Sequence, residues 1–400
     1  MNLDKGRLAR ITPWAASYVE QRKFAGLSVL IRQHGIEVFF DSHGVRDIET
    51  GAPFARDTVA RIYSMTKPIT SLILMMLVEE GKVHLDAPLS RFLPGFENCR
   101  ALVPGATTID QTEPCATPTL HQLLTHRSGL SYPFNPGVLA QVMADQDLLF
   151  KPNAGTLTTQ CDALAALPLA FAPGARWEYS VGIDVIGRVI EVMTGQPLDQ
   201  VFATRVLDPL GMHDTAFSVP EHVRDHFAAL YTPLAGNAMD LNGADTGDDP
   251  LRLVDASTTS PFLDATCYSG GGGLVSTIDD YMRFAEALRL GGQGLVSPST
   301  VQFMLSNHLP GDIASLGPAS FAEQPMEGVG FGIGGAVVLD PARSRVPGSV
   351  GDFSWGGMAS TFFWIDRVHD ISVVMFTQLS PSSSYPVRAE LKALVQGALM

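Results

Sequence analysis

Strand-like alternation at both ends of the chain, with helical spacing between, is the pattern that most restricts its fold. LSVLIRQ at 27–33 and IEVFFDSHG at 36–44 flank His34 and Gly35, a connection suited to a β-hairpin. Near the C-terminus FGIGGAVVLD, SRVPGSV, ASTFFWID and ISVVMFTQ follow one another with turn residues between them, as an antiparallel meander requires. From about 86 to 220 the signals become helices and Pro/Gly-rich loops, including residues 119–126, VGIDVIGRVIEVM at 181–193 and LDQVFATRVL at 198–207. Residues 3–22 predict an opening helix and VRAELKALVQGALM a closing one, both packed on one face of a sheet built from the two ends of the chain. The expected class is therefore α+β. An antiparallel sheet domain (1–85 and 221–400) carries an inserted, mostly helical domain (86–220). The Gly-, Asp- and Pro-rich stretch 220–265 reads as a long loop near a site.

A chain of 400 residues, 46% hydrophobic and 17% charged, is long enough for a large two-lobed body. Its net charge of −14 opposes nucleic acid and gives no attraction to anionic lipid. The N-terminus shows no signal-peptide core. The apolar run 69–78 is too short to span a bilayer and reads as a buried helix. Cys99, Cys115, Cys161 and Cys267 lack CxxC spacing and neighbouring His pairs, so neither zinc nor a disulfide framework is indicated. The expectation is a cytoplasmic protein without metal or cofactor, and no pattern assigns an oligomeric state.

Ser64 and Lys67 lead straight into that apolar run. Three residues apart on a helix they share a face, and the free N–H groups and positive dipole of a helix start favour negative charge on the serine oxygen. An N-capping serine with a solvent-facing lysine is the competing explanation. It fits poorly here, because a lysine carried into the core needs a polar partner. Tyr179, at a loop-to-helix transition in GARWEYSVG, is the best candidate. Two glycine clusters, SGGGGL at 269–274 and SWGG at 354–357, mark places where a backbone or a ligand must come close, or simply a hinge and a turn. His121 and His126 read as structural, and no G-x-S-x-G element is present.

In chain order, SMTK (64–67), LLTHRSGL (123–130), PGARWEYSVGIDVIGRVIE (173–191), GGGGLVSTIDD (270–280) and SWGGMAS (354–360) resemble the serine β-lactamase-like superfamily. The likeness is to its class C-like branch, which contains the family VIII carboxylesterases, and it covers nearly the whole chain. It implies Ser64 as nucleophile, Lys67 as its neighbour and Tyr179 as the tyrosine of the second motif. The third motif falls on Trp355, Gly356 and Gly357, and the N–H of Met358 would join that of Ser64 in an oxyanion hole. Tyr132 and Phe134 would shape the substrate pocket.

Two departures bear on substrate class. Trp355 stands where penicillin-recognising members usually carry a cation, and Tyr179-Ser180-Val181 replaces the common Y-x-N and its amide. The resemblance thus implies an esterase for short- to medium-chain uncharged esters, working through an acyl-enzyme, with weak or absent β-lactamase activity. A β-lactamase, D-amino-acid peptidase or acyltransferase on the same scaffold is the alternative. A silent binding protein would have no chemical need for Ser64, Lys67 and Tyr179 together.

Overall fold

In the computed structural model, which describes residues 1–238, 251–322 and 324–400, the two ends of the chain meet in one sheet. Strands β1 (Gly26–Gln33) and β2 (Ile36–Gly44) form the expected hairpin, with His34 and Gly35 both at positive φ (53° and 76°) as a two-residue turn with the twist of its strands demands. The C-terminal region supplies β3 (Val329–Phe331), β4 (Ala336–Val338), β5 (Phe353–Gly356), β6 (Phe362–Asp366) and β7 (Ile371–Thr377). The seven strands are ordered β3-β4-β5-β6-β7-β1-β2, each pair antiparallel, so the last strand of the chain lies beside the first.

Both faces of this sheet are covered, which explains the unbroken apolar runs of β6 and β7. Phe362, Trp364, Val373 and Met375 face the terminal helices α1 (Ile11–Glu20) and α6 (Val387–Gln396), where Ile11, Ala15, Leu391 and Val395 complete one core. Phe363, Ile365, Val374 and Phe376 face the other way into the larger core. There they join helices α2 (Thr66–Glu79), α3 (Leu120–Leu124), α4 (Gly182–Thr194) and α5 (Ile278–Arg289). Helix α2 is buried on every side from Thr66 to Leu77, with the apolar stretch Leu72–Leu77 carrying it through the core. Among the described residues no helix is long and apolar enough to cross a membrane.

The structure departs from the sequence expectations in four places. The opening helix is split into Lys5–Leu8 and α1. SRVPGSV is not a strand: it follows a single helical turn, Pro341–Ser344, and Arg345 takes a left-handed φ of 58°. The ladder position falls instead to Phe353–Gly356, whose Phe353 and Ser354 pair with Val337 and Ala336, so Trp355 and Gly356 belong to a strand rather than to the turn before one. LDQVFATRVL is helical only over Leu198–Phe202, and Ala203–Leu207 continues in a wider π turn. Within 220–265, Leu230–Thr232 pairs with Arg252–Asp255, and 239–250 lie outside the described residues.

Trp364 is fully buried between the sheet and the terminal helices. Trp364→Ala is expected to remove about 3–5 kcal/mol of stability, read from the midpoint of urea unfolding.

Candidate active site

A 3-10 turn, Tyr63–Met65, feeds directly into α2, and Ser64 stands in it one turn before Lys67. Tyr63 has a φ of 41°, a conformation costing about 1–3 kcal/mol that persists only where its surroundings fix it. Here the phenol of Tyr281 on α5 donates to Met65 O at 2.8 Å, Ile62 N–H bonds to Leu274 O at 3.1 Å, and the Tyr63 ring meets Phe262 edge-on.

Lys67 is completely buried, and its three ammonium donors reach Gly271 O (2.7 Å), Tyr132 Oη (3.0 Å) and Ser64 Oγ (3.1 Å). The nearest counter-charge is Asp184, 1% exposed on α4. Asp184 accepts from Ser269 Oγ, from Gly271 N at 3.0 Å and from Tyr132 Oη at 3.4 Å. Tyr132 and the Gly271 backbone thus bridge the buried cation to the buried anion. Burial raises the Asp184 carboxyl above its usual range, against the pull of Lys67 and of the hydrogen bonds from Ser269 and Gly271. The Tyr132 phenol is raised well above its usual range by burial and by the Asp184 charge, so it stays protonated.

The glycine cluster 269–274 is a close approach rather than a hinge. A Cβ on Gly271 would lie 2.2 Å from Asp184 Oδ2, and one on Gly270 would lie 2.9 Å from Ile183 O. The sequence marks the glycine cluster that holds Gly271 but not Asp184, whose signal is a carboxylate standing within the apolar spacing of VGIDVIGRVIEVM.

Tyr179 Oη donates to Ser64 Oγ at 2.7 Å, and its ring lies 4.6 Å from Lys67 Nζ. His126 packs against that ring at 4.7 Å, fully buried, and its Nδ1 accepts the Ser180 N–H at 3.2 Å, which leaves the proton on Nε2. His126 supports Tyr179, whereas His121 pairs with His308 at 3.1 Å.

Ser64, Tyr132, Phe134, Tyr179, Trp355, Gly356, Gly357 and Met358 all border one cavity of about 450 Å3. Leu149, Phe150, Val254, Phe262, Phe321 and Met326 make its remaining wall largely apolar. The Trp355 ring lies 5.4 Å from Tyr179 and stacks on Phe321. Gly357 is required by backbone contact, since a Cβ there would lie 2.3 Å from Ile62 O, while a Cβ on Gly356 would lie 2.6 Å from Arg388 Nη2 and displace that guanidinium. Arg388, on α6, was not anticipated. It brings a cation to the wall beside Trp355, donating from Nη2 to Gly357 O at 3.3 Å.

A serine gripped by a lysine one turn on and by a tyrosine, opening onto an apolar cavity of this scaffold, defines a serine hydrolase of the β-lactamase-like kind. The Beta-lactamase family model matches residues 11–397, and the chain belongs to that family. It is 33% identical over 384 residues to Esterase EstB of Burkholderia gladioli, covering 94% of this chain and 92% of that one. It is 28% identical to the Lovastatin esterase of Penicillium rubens (89% and 88% covered). Among solved structures, EstCE1, described as a hydrolase with promiscuous acyltransferase activity, superposes with a TM-score of 0.81 at 28% identity, covering 98% and 99% of the two chains.

Asp184→Asn leaves the Ser269 and Tyr132 donors poorly matched and removes the counter-charge of Lys67. The variant is expected to lose roughly 1–3 kcal/mol in chemical denaturation, with a fall in turnover. A pH effect follows from the buried histidines. Burial holds His126 well below the usual histidine range and also lowers His121 and His308. Their folded-state proton affinity lies below the unfolded one, so unfolding takes up protons. Their contribution is complete above about pH 6.5 and is lost as the pH falls further. The melting temperature is expected to decline from pH 7.5 to 5, and His126→Asn to flatten that decline.

Proposed function

We propose that this chain is a carboxylesterase of the family VIII kind, hydrolysing short- to medium-chain uncharged esters through an acyl-enzyme on Ser64. The observation that carries the reading is the double grip on Ser64 Oγ, by Tyr179 at 2.7 Å and Lys67 at 3.1 Å, at the edge of an apolar cavity. With the Tyr179–Lys67 pair one proton short, Ser64 Oγ attacks the ester carbonyl while its proton passes to the vacant site on that pair. Tyr179 is the better proton carrier of the two tyrosines, since Tyr132 is held as a protonated donor to Asp184. The N–H groups of Ser64 and Met358 hold the oxyanion. Collapse breaks the C–O bond, the pair returns the proton to the departing alcohol, and water repeats the sequence on the acyl-enzyme to release the acid.

The same reading divides the chain into a sheet body (1–85 and 221–400) bearing Ser64, Lys67 and Trp355, and a helical insert (86–220) bearing Tyr132 and Tyr179. The preference for uncharged esters rests on Trp355 and on the apolar wall, with Arg388 engaged by the Gly357 carbonyl and packed 5.4 Å from the Phe362 ring centre. Acyl transfer to an alcohol is the second reading. It is favoured by the apolar cavity and by the likeness to EstCE1, whose description includes that activity. The four free cysteines accord with a reducing, cytoplasmic setting.

Purified protein and Ser64→Ala are to be compared on p-nitrophenyl butyrate and, in parallel, nitrocefin. Ester turnover is expected to fall by about 10³-fold or more in the variant, with nitrocefin a poor substrate throughout. Nitrocefin as the better substrate would overturn the esterase assignment.

A further inference from the structure

We propose that Arg388 is a positioning residue of the reaction, which strengthens the oxyanion hole by binding the far side of the peptide unit that supplies one of its donors. The inference rests on the reading of Met358 N–H as an oxyanion donor. The carbonyl of Gly357 and the N–H of Met358 belong to the same trans peptide unit, so they point in opposite directions from one plane. On the carbonyl side the structure supplies two donors: Ser360 N–H at 3.0 Å, which closes the turn after β5, and Arg388 Nη2 at 3.3 Å. The first fixes the plane. The second is a cation, and positive charge on an amide oxygen draws electron density along the C–N resonance, leaving the N–H at the other end a stronger donor.

The surroundings show that this contact is built in. Arg388 is 6% exposed and lies 5.4 Å from the ring centre of Phe362, so its field is screened little by water. Gly356 leaves the space the guanidinium occupies: a Cβ there would lie 2.6 Å from Nη2 and 2.7 Å from Cζ. Gly356 is the last residue of β5, and close approach of another group is a usual reason for a strand glycine. The third motif therefore keeps its cation, but one moved to helix α6 and turned toward the backbone.

The test uses the full chain with Arg388→Met, Arg388→Lys and Arg388→Gln, each checked by its melting curve. It follows p-nitrophenyl butyrate turnover and inhibition by an alkylboronic acid, whose serine adduct places an oxygen in the oxyanion hole. Expected for Arg388→Met is a fall in kcat of roughly tenfold, less than the ~10²–10³ seen when an oxyanion donor is itself removed. KM should be unchanged and boronate affinity should drop by a similar factor. Lysine should restore part of the loss and glutamine, a neutral donor, less. Should Arg388→Met fail to fold, the order Lys above Gln decides the matter.

Three results overturn the proposal: a rise in KM with kcat intact, a loss confined to substrates bearing a carboxylate, or unchanged boronate affinity. The carboxylate-specific loss would make Arg388 a direct substrate anchor. Failure of the underlying esterase reading is separate, because it would appear in the unaltered protein as ester turnover that does not depend on Ser64.

Discussion

A single ammonium group buried out of reach of water sets most of the architecture around it. Lys67 sits on a helix that is buried on every side, so each of its three donors needs an acceptor inside the protein. The acceptors come from three separate parts of the chain: Ser64 one turn before it, Tyr132 from the loop after α3, and Gly271 from the glycine cluster. Asp184 balances the charge without touching the lysine. The glycine at 271 follows from this, since the carboxylate occupies the space of any side chain there. Several separate segments are thus fixed relative to one another by the cost of stranding one charge.

The same economy of space governs the opposite wall. Gly357 lies against Ile62 O, two residues before Ser64, and Thr361 Oγ1 lies against it too. Strand β5 and the serine turn therefore approach at backbone contact, closer than any side chain permits. The middle strand of the meander and the turn that starts α2 come from distant parts of the sequence. Their separation is set by the glycine at 357 rather than by a packed layer.

The elements dictated by local chemistry were legible in the sequence. The hairpin at His34–Gly35 follows from turn geometry, the antiparallel pairing of β6 and β7 from their short apolar runs with turn residues between, and the Ser64–Lys67 contact from helical spacing. What the sequence concealed depends on tertiary partners. Asp184 looks like one polar residue on an amphipathic helix until Lys67 and Gly271 are placed opposite it. Arg388 looks like the surface cation of a C-terminal helix until α6 is laid across the sheet beside β5. SRVPGSV carries valines at 346 and 350 amid turn residues, yet the pairing positions beside β4 go to Phe353 and Ser354, whose partners there decide the register. The break after Phe202 has no marker such as glycine or proline at that point, since Pro209 comes after the π turn.

Two tyrosines flank one lysine, and their environments divide the chemistry between them. Tyr132 lies 3.0 Å from the ammonium and donates to a carboxylate at 3.4 Å, so removing its proton would set two negative charges side by side in a water-poor interior. Tyr179 faces the other way, with its hydroxyl 2.7 Å from Ser64 Oγ and the lysine against its ring, and among the described residues no carboxylate hydrogen-bonds to it. The arrangement keeps one phenol as a fixed link between lysine and aspartate and leaves the other able to exchange its proton with the serine. That asymmetry depends on Asp184 occupying one side of Lys67 only, and it is set by the glycine at 271 that lets the carboxylate in.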